Sequence, residues 1–165
     1  QRIGVWKNSY TLWADTLRKS PNLAFVHDAY GEALLERGDI DDAIRQFDIA
    51  LRLWPDMTRQ DADIVTRNSI ANTYNNIGAA FGRKGMTDEA VPSFVMAIRL
   101  NPALDKAYFN LGNAFMNQGA VPQALQCFET AFRLNPGNPA YGANLRATRE
   151  ILKAGNVRRP VGGAE

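Results

Sequence analysis

The chain has 165 residues, of which 45% are hydrophobic, and a formal net charge of +2 at pH 7. This length and composition suffice for one folded domain with a buried core. The charge is too small to indicate a nucleic-acid-binding protein, and no segment approaches the roughly 20 apolar residues that a membrane-spanning helix needs. No strand-like alternation of apolar and polar residues persists, so we expect an all-α fold.

Four prolines divide most of the chain into segments of related length. Pro21 and Pro55 are separated by the same interval as Pro102 and Pro136. The longer interval between Pro55 and Pro102 equals one such segment plus an insertion. The shared interval is about 34 residues, a period that is typical of arrays of paired helices, which present a surface for binding other molecules.

Each repeat is predicted to contain a first helix, a glycine-containing turn and a second helix that ends near the proline. In chain order we predict a half repeat at 5–21, repeat 1 at 24–57, an insertion at 58–70, repeat 2 at 71–104, repeat 3 at 105–138, a capping helix at 139–154 and a tail at 155–165. The first helix of repeat 2 is expected to begin near Asp61 and to end at Arg83. The tail is expected to be disordered, because it lacks apolar periodicity.

Equivalent positions of the three repeats hold the same residue types. A small residue in each first helix is predicted to let the second helix approach closely, and a phenylalanine is predicted to fill the space beside it. Trp13 occupies the phenylalanine position of the half repeat. A second glycine is predicted to end each first helix in a left-handed conformation. These positions are Gly31, Gly78 and Gly112; Phe47, Phe94 and Phe128; and Gly38, Gly85 and Gly119.

Repeat 3 carries the motif most completely, in Tyr108, Leu111, Gly112, Phe115, Ala124, Phe128, Ala131 and Pro136. This pattern resembles the tetratricopeptide repeat. The resemblance covers about Ala24 to Pro136. It implies an array of helical hairpins that forms a right-handed superhelix, or α-solenoid, with a concave groove that binds a protein or peptide.

The N-terminal segment carries a second resemblance. Val5 to Lys7, Thr11 to Leu17 and Pro21-Asn22 are similar to the segment that follows the last membrane helix in polytopic proteins resembling protein O-mannosyltransferases. This implies that the chain is the soluble, C-terminal part of a larger membrane protein, and a chain that begins at Gln1 with half a repeat is expected to be a fragment. The alternative is that the tryptophans simply fill the core of a terminal helix. The single cysteine, Cys127, leaves the cellular compartment open.

The sequence indicates neither an enzyme nor a metal or cofactor site. His27 is expected to be a structural histidine, and Cys127 a small residue at or near the core, with no histidine nearby to activate it. Asp61 and Asp63 would point about 200° apart on a helix, so they are not predicted to share a metal ion. The chain lacks glycine-rich phosphate loops and zinc-ligand spacings.

A series of asparagines is the strongest predicted ligand-binding feature. Asn76, Asn110 and Asn144 recur at the repeat interval, each on a predicted first helix. On a helix, Asn76 lies about 150° from the stripe that packs on the partner helix, so the series is predicted to line the groove and to bind a peptide backbone through its amides. A similar ladder is known in the repeats of O-linked N-acetylglucosamine transferase. The alternative is that asparagine is common at this place and satisfies contacts between helices; repeat 1 has Ala29 there.

The same geometry predicts further groove residues, which change from acidic in repeat 1 to amide-rich and mildly basic in repeat 3. They are Phe25, Asp28, Glu32 and Glu36; Asn72, Asn75, Ala79 and Arg83; and Lys106, Phe109, Asn113 and Asn117. Some tetratricopeptide domains clamp a chaperone's C-terminal carboxylate, and Lys106 and Asn76 match two of the places used. Asp28 and Glu32 would repel such a ligand.

Two function classes follow from the sequence. The first is a protein-interaction scaffold whose groove binds a peptide or partner segment, with no nucleic-acid partner and no membrane insertion by this segment. The alternative is a structural module that self-associates through its open repeat ends within a larger membrane protein.

Overall fold

The structure, a computed structural model, describes residues 8–54 and 63–157, with side chains up to residue 154. In this part of the chain it contains eight α-helices and no strands, which confirms the predicted all-α repeat fold. The helices are α1 (Ser9–Lys19), α2 (Ala24–Arg37), α3 (Ile40–Leu53), α4 (Ile64–Arg83), α5 (Thr87–Leu100), α6 (Asp105–Asn117), α7 (Val121–Leu134) and α8 (Pro139–Val157). The chain divides into two compact units, unit 1 (Gln1–Pro102) and unit 2 (Ala103–Glu165).

Short turns join the two helices of each repeat into hairpins: α2 with α3, α4 with α5, and α6 with α7. Gly38, Gly85 and Gly119 in these turns have φ angles of 90°, 75° and 73°, as predicted. This left-handed conformation is one that residues with a Cβ atom rarely adopt. The turn glycines therefore allow the chain to reverse within two or three residues.

The close approach within each hairpin depends on a glycine facing a phenylalanine ring. A Cβ atom placed on Gly78 would lie 2.5 Å from Cε1 of Phe94, and the corresponding distance is 2.6 Å for Gly31 to Phe47 and for Gly112 to Phe128. Real Cβ atoms do not come this near to a ring carbon. The three phenylalanines are buried, so the predicted packing of small and large residues is confirmed.

Helix α1 is attached less tightly than the other helices of unit 1. None of its residues is buried, and Trp13 is only half-buried, unlike the three phenylalanines whose position it shares. Among the described residues α1 packs mainly against α2. Its contacts are partly polar, because Tyr10 packs on Tyr30 with ring centroids 5.5 Å apart and the Arg37 guanidinium lies 3.8 Å from the Tyr10 ring. Residues 5–7 of the predicted half repeat lie outside the described residues.

The insertion lengthens the first helix of repeat 2. Helix α4 has 20 residues, compared with 14 in α2 and 13 in α6. It begins at Ile64, a few residues later than predicted, and ends at Arg83 as predicted. Asp63 caps its start by accepting hydrogen bonds from the backbone N–H and the hydroxyl of Thr66, at 2.8 and 2.7 Å. Residues 58–62 lie outside the described residues.

Unit 2 consists of the α6–α7 hairpin and the final helix. Helix α8 packs against α7, and its Tyr141, Leu145 and Thr148 are buried. Arg146 and Arg149 are exposed, as expected for a helix that caps a repeat array. Helix α8 extends to Val157, three residues beyond the predicted end, and residues 158–165 of the predicted tail lie outside the described residues. No described helix combines the length and apolar character needed to cross a membrane.

Candidate functional site

In unit 1, the first helices of repeats 1 and 2 share a surface formed by mainly polar side chains. Residues spaced three or four apart share one side of a helix, which places all four predicted groove residues of α2 together. We call this surface the α2–α4 face; it comprises Phe25, Asp28, Glu32 and Glu36 on α2 and Asn72, Asn76 and Arg83 on α4.

A direct hydrogen bond joins the two helices in the middle of this face. The Asn76 amide nitrogen donates to Oε1 of Glu32 over 2.8 Å. Beside this bond lies a cleft of about 260 Å³, lined by Glu32, Leu35, Glu36, Asn76 and Arg83. The guanidinium of Arg83 donates to the backbone oxygen of Leu35 at the edge of the cleft. The cleft thus combines carboxylate, amide and guanidinium groups.

Among the described residues, the carboxylates of α2 have no cationic partner. Glu32 and Glu36 are exposed, and Glu36 accepts a hydrogen bond of 3.2 Å from the Ser9 hydroxyl. Asp28 is partly buried, and its Oδ1 atom is enclosed without a hydrogen bond. Within the described residues none of the three forms an ion pair with a lysine or arginine.

Burial makes the charged form of Asp28 unfavourable. The loss of solvent is the main cause, and it raises the pKa of the Asp28 carboxyl to about 6 from its usual value of 3.8. A hydrogen bond with the Thr73 side chain lowers this pKa, and the negative charge of Glu32 raises it. At neutral pH the carboxylate is therefore held at a cost to the fold.

In unit 2 the same type of bond joins α6 and α8. The Asn144 amide nitrogen donates to Oδ1 of Asn113 over 3.1 Å. Asn76 and Asn144 occupy the same repeat position, and so do their acceptors Glu32 and Asn113. Two members of the asparagine series therefore satisfy contacts between successive first helices, which is the alternative role that the sequence left open. Each still has its amide oxygen available as an acceptor.

The remaining predicted site residues differ in how far they are exposed to solvent. Asn72 is exposed, and its amide donates to the backbone oxygen of Asn68 over 3.0 Å. Lys106 is exposed on α6, and Asn110 is half-buried. Asn75 is only 6% exposed, so it is buried at a position where the sequence predicted a groove residue.

The two residues whose side chains could take part in catalysis, His27 and Cys127, are both buried in the packed interior. His27 is buried, with Nε2 2.9 Å from the backbone oxygen of Pro21 and Nδ1 2.8 Å from Oε1 of Gln46. Cys127 is buried, and burial raises the pKa of its thiol to about 11, so it is protonated at neutral pH. The described residues include no group of three or more His, Cys, Asp or Glu side chains placed to hold a metal ion.

Three family models, each described as the tetratricopeptide repeat, match residues 29–59, 71–104 and 105–138. Together these segments make up more than half of the sequence. The chain belongs to the tetratricopeptide repeat family. The second and third segments have the same bounds as the predicted repeats 2 and 3.

Solved tetratricopeptide structures share this fold at low sequence identity. The first tetratricopeptide domain of Spaghetti (RPAP3), bound to the HSP90 peptide SRMEEVD, has a TM-score of 0.68 and 22% identity, with 79% of this chain and 95% of that chain covered. MamA has a TM-score of 0.69 and 21% identity, with 87% and 77% covered. The OM64 domain from Arabidopsis has a TM-score of 0.66 and 21% identity, with 78% and 95% covered.

Curated proteins yield no match to this sequence. The comparisons give no support to the resemblance of the N-terminal segment to O-mannosyltransferase-like membrane proteins, or to self-association. At the identities found, the structural similarities establish the fold, and the function must be argued from the residues of the chain itself.

Sequence reasoning found the residues of the α2–α4 face but missed the bonds between them. In both bonds the asparagine lies further along the chain than its acceptor. The separation is three positions shorter than the spacing of the repeats at that place. The separation is 44 for Asn76 and Glu32, whose interval includes the insertion, and 31 for Asn144 and Asn113, whose interval does not. Searching for polar pairs at this separation would have revealed both bonds.

Proposed function

We propose that this tetratricopeptide protein is an interaction scaffold and that its α2–α4 face binds an extended segment of a partner protein. The cleft of about 260 Å³ beside the Asn76–Glu32 bond carries this proposal, because it brings hydrogen-bonding groups of several kinds to an exposed surface.

The groups of the face suit an extended backbone. A peptide offers one N–H donor and one C=O acceptor per residue, and in an extended conformation these groups are not used internally. Asn76 and Asn72 each donate one amide hydrogen within the protein and keep an oxygen that can accept from a peptide N–H. Asn76 also keeps a second amide hydrogen for a peptide carbonyl.

The structural comparisons support a peptide ligand. The peptide bound by the similar domain, however, carries a charge that does not suit the α2–α4 face. A domain with the same fold is seen with the HSP90 peptide SRMEEVD, which contains three acidic residues. The α2–α4 face itself presents three carboxylates, Asp28, Glu32 and Glu36. Like charges would repel such a peptide, so a shared fold does not carry over this ligand.

In unit 2 the exposed parts of α6 and α8 provide the amide-rich part of the predicted site. Lys106, Asn110, Asn113 and Asn144 remain predicted ligand contacts there. Asn113 and Asn144 already share one hydrogen bond, so a ligand would use the groups that this bond leaves over.

The test is selection of binding peptides, followed by substitution. A random dodecapeptide library displayed on phage is selected on the immobilised protein, and the affinity of the enriched peptides is measured by fluorescence anisotropy. Replacing both Asn72 and Asn76 by alanine should weaken binding by about 5- to 100-fold, since each lost hydrogen bond is worth about 0.5–1.5 kcal/mol.

Gln123→Ala serves as a matched control, because Gln123 is an exposed amide on the second helix α7. This variant should bind like the parent protein. Unchanged affinity in the double asparagine variant, or failure of the library to yield any peptide above a bare surface, would contradict the proposal.

A further inference from the structure

The α2–α4 face has an acidic side formed by one helix. Phe25, Asp28, Glu32 and Glu36 are spaced by three, four and four residues, so they form one stripe along α2. At 1.5 Å per residue the stripe from Phe25 to Glu36 is about 16 Å long. An extended segment of about five residues would span it.

The protein does not neutralise this stripe within its described residues. Glu32 accepts from the neutral Asn76 amide, and Glu36 accepts from the Ser9 hydroxyl. The enclosed Oδ1 of Asp28 accepts no hydrogen bond. Arg83 lines the same cleft and adds one positive charge beside the three carboxylates, while its guanidinium donates to the backbone oxygen of Leu35.

Several other carboxylates of the chain form ion pairs with lysine or arginine. Asp15 pairs with Lys19 at 2.7 Å, Asp41 with Lys84 at 2.6 Å, and Glu129 with Arg149 at 2.9 Å. The stripe on α2 therefore keeps a negative potential that a ligand's positive charge can satisfy.

The first helices of unit 1 begin with exposed apolar side chains. Phe25, at the start of α2, is 51% exposed. On α4, Ile64 and Val65 are 64% and 69% exposed. Val65 precedes Asn72 by seven residues, or about two helical turns, and so lies on the same side of α4. Each of these side chains can pack on an apolar residue of a bound segment.

We infer that the partner segment is basic and carries an apolar side chain three to five residues from a lysine or arginine. The basic side chain lies against Glu32 and Glu36, and the apolar side chain packs on Phe25. The separation follows from the helix, since Glu32 is about 10 Å and Glu36 about 16 Å from Phe25 along its axis, or about three and five residues of extended chain. This inference rests on the proposed function and specifies its ligand class.

The dodecapeptide selection also tests this inference. We expect the enriched peptides to combine lysine or arginine with an apolar residue at that separation. The variant with Glu32→Gln and Glu36→Gln should bind them at least about 10-fold more weakly, and raising NaCl from about 50 to about 300 mM should weaken binding to the parent protein. Glutamine keeps the oxygen that accepts from Asn76, so this variant removes charge with little change in shape.

Two further variants test which side chains contribute to the affinity for the peptide. Phe25→Ser should weaken binding by about 3- to 10-fold through loss of the apolar contact. Asp48→Asn removes an exposed carboxylate on the second helix α3 and should leave the affinity unchanged. Circular dichroism checks that all variants remain folded.

A failure of this inference can be distinguished from a failure of the proposed function. Enriched peptides that lack basic residues, and that bind the double glutamine variant normally but the double asparagine variant weakly, would overturn the basic-segment inference and leave the proposed function standing. Absence of any enriched peptide would overturn both.

Discussion

Unit 1 and unit 2 each contain an asparagine that joins two successive first helices, but the two acceptors differ in charge. Asn76 donates to the Glu32 carboxylate in unit 1, and Asn144 donates to the Asn113 amide in unit 2. The position of each bond follows from the repeat, whereas its electrostatic character depends on one residue. A repeat array can therefore change the charge of its exposed face without changing how its helices pack.

The largest expected effect tests whether the two units share one packing scheme. Phe94→Ala in unit 1 and Phe128→Ala in unit 2 should each lower the free energy of unfolding by about 3–5 kcal/mol, because each removes a buried ring and leaves a cavity beside a glycine. Urea denaturation measures this loss. Phe25→Ala, at an exposed phenylalanine, is the control and should cost far less. A loss below about 1 kcal/mol in either unit would mean that the two hairpins are not equivalent.

The second prediction concerns Asp28, for which unit 2 has Phe109 at the equivalent position. The folded-state pKa of Asp28 is raised to about 6, so the parent protein loses stability as the pH rises from about 4 to above 6. Asp28→Asn removes this loss. It should therefore stabilise the protein by up to about 3 kcal/mol at pH 7 and by less than about 1 kcal/mol at pH 4.

Thermal denaturation at several pH values measures this difference. Glu36→Gln provides the control, because Glu36 is an exposed carboxylate on the same helix. Equal stability of Asp28→Asn and the parent protein at pH 7 would show that Asp28 is well solvated.

The third prediction compares the two bonds between first helices. Alanine is favoured over asparagine inside a helix, which offsets part of the loss in a single variant. Double-mutant cycles remove this offset. The coupling between Asn76 and Glu32 should be about 1 kcal/mol, and that between Asn144 and Asn113 about 0.5 kcal/mol, because an ionised acceptor strengthens a hydrogen bond. A larger coupling in unit 2 would contradict this ranking.

The smallest expected effect concerns exposed ion pairs, one in each unit. Lys84→Gln breaks the pair with Asp41, and Arg149→Gln breaks the pair with Glu129. Each should cost less than about 0.5 kcal/mol, and the cost should shrink in 1 M NaCl. Chemical denaturation at two salt concentrations checks this. A cost of about 2 kcal/mol, well above the range for solvent-exposed pairs, would mean that the pair is screened from solvent.

The fold was readable from the sequence because its main packing contacts repeat. Gly78 and Phe94 recur at the same positions in the other two repeats, so one hairpin predicts the others. The predictions of helix ends that lack a repeated signal were less accurate. Helix α8 continues through Gly155 to Val157, where no proline interrupts it, and α4 begins at Ile64 because Asp63 supplies a cap.

The candidate site was only partly readable. Sequence periodicity placed Glu32 and Glu36 on one side of α2, and the structure finds both exposed. It could not show that Asn76 bonds to Glu32, since that contact depends on side-chain reach between two helices. It also could not show that Asn75 is almost fully buried, because that depends on the neighbouring helices.

The glycine–phenylalanine contacts have a consequence for how such a protein evolves. In all three repeats the two residues are separated by the same number of positions and lie within one repeat. A gene duplication that copies one repeat therefore copies a complete contact between two helices. The bonds made by Asn76 and Asn144 instead cross from one repeat to the next, so a newly inserted copy keeps them only when its neighbour supplies an acceptor. Stability is thus inherited with the duplicated repeat, whereas the chemistry of the exposed face is open to selection at each new junction.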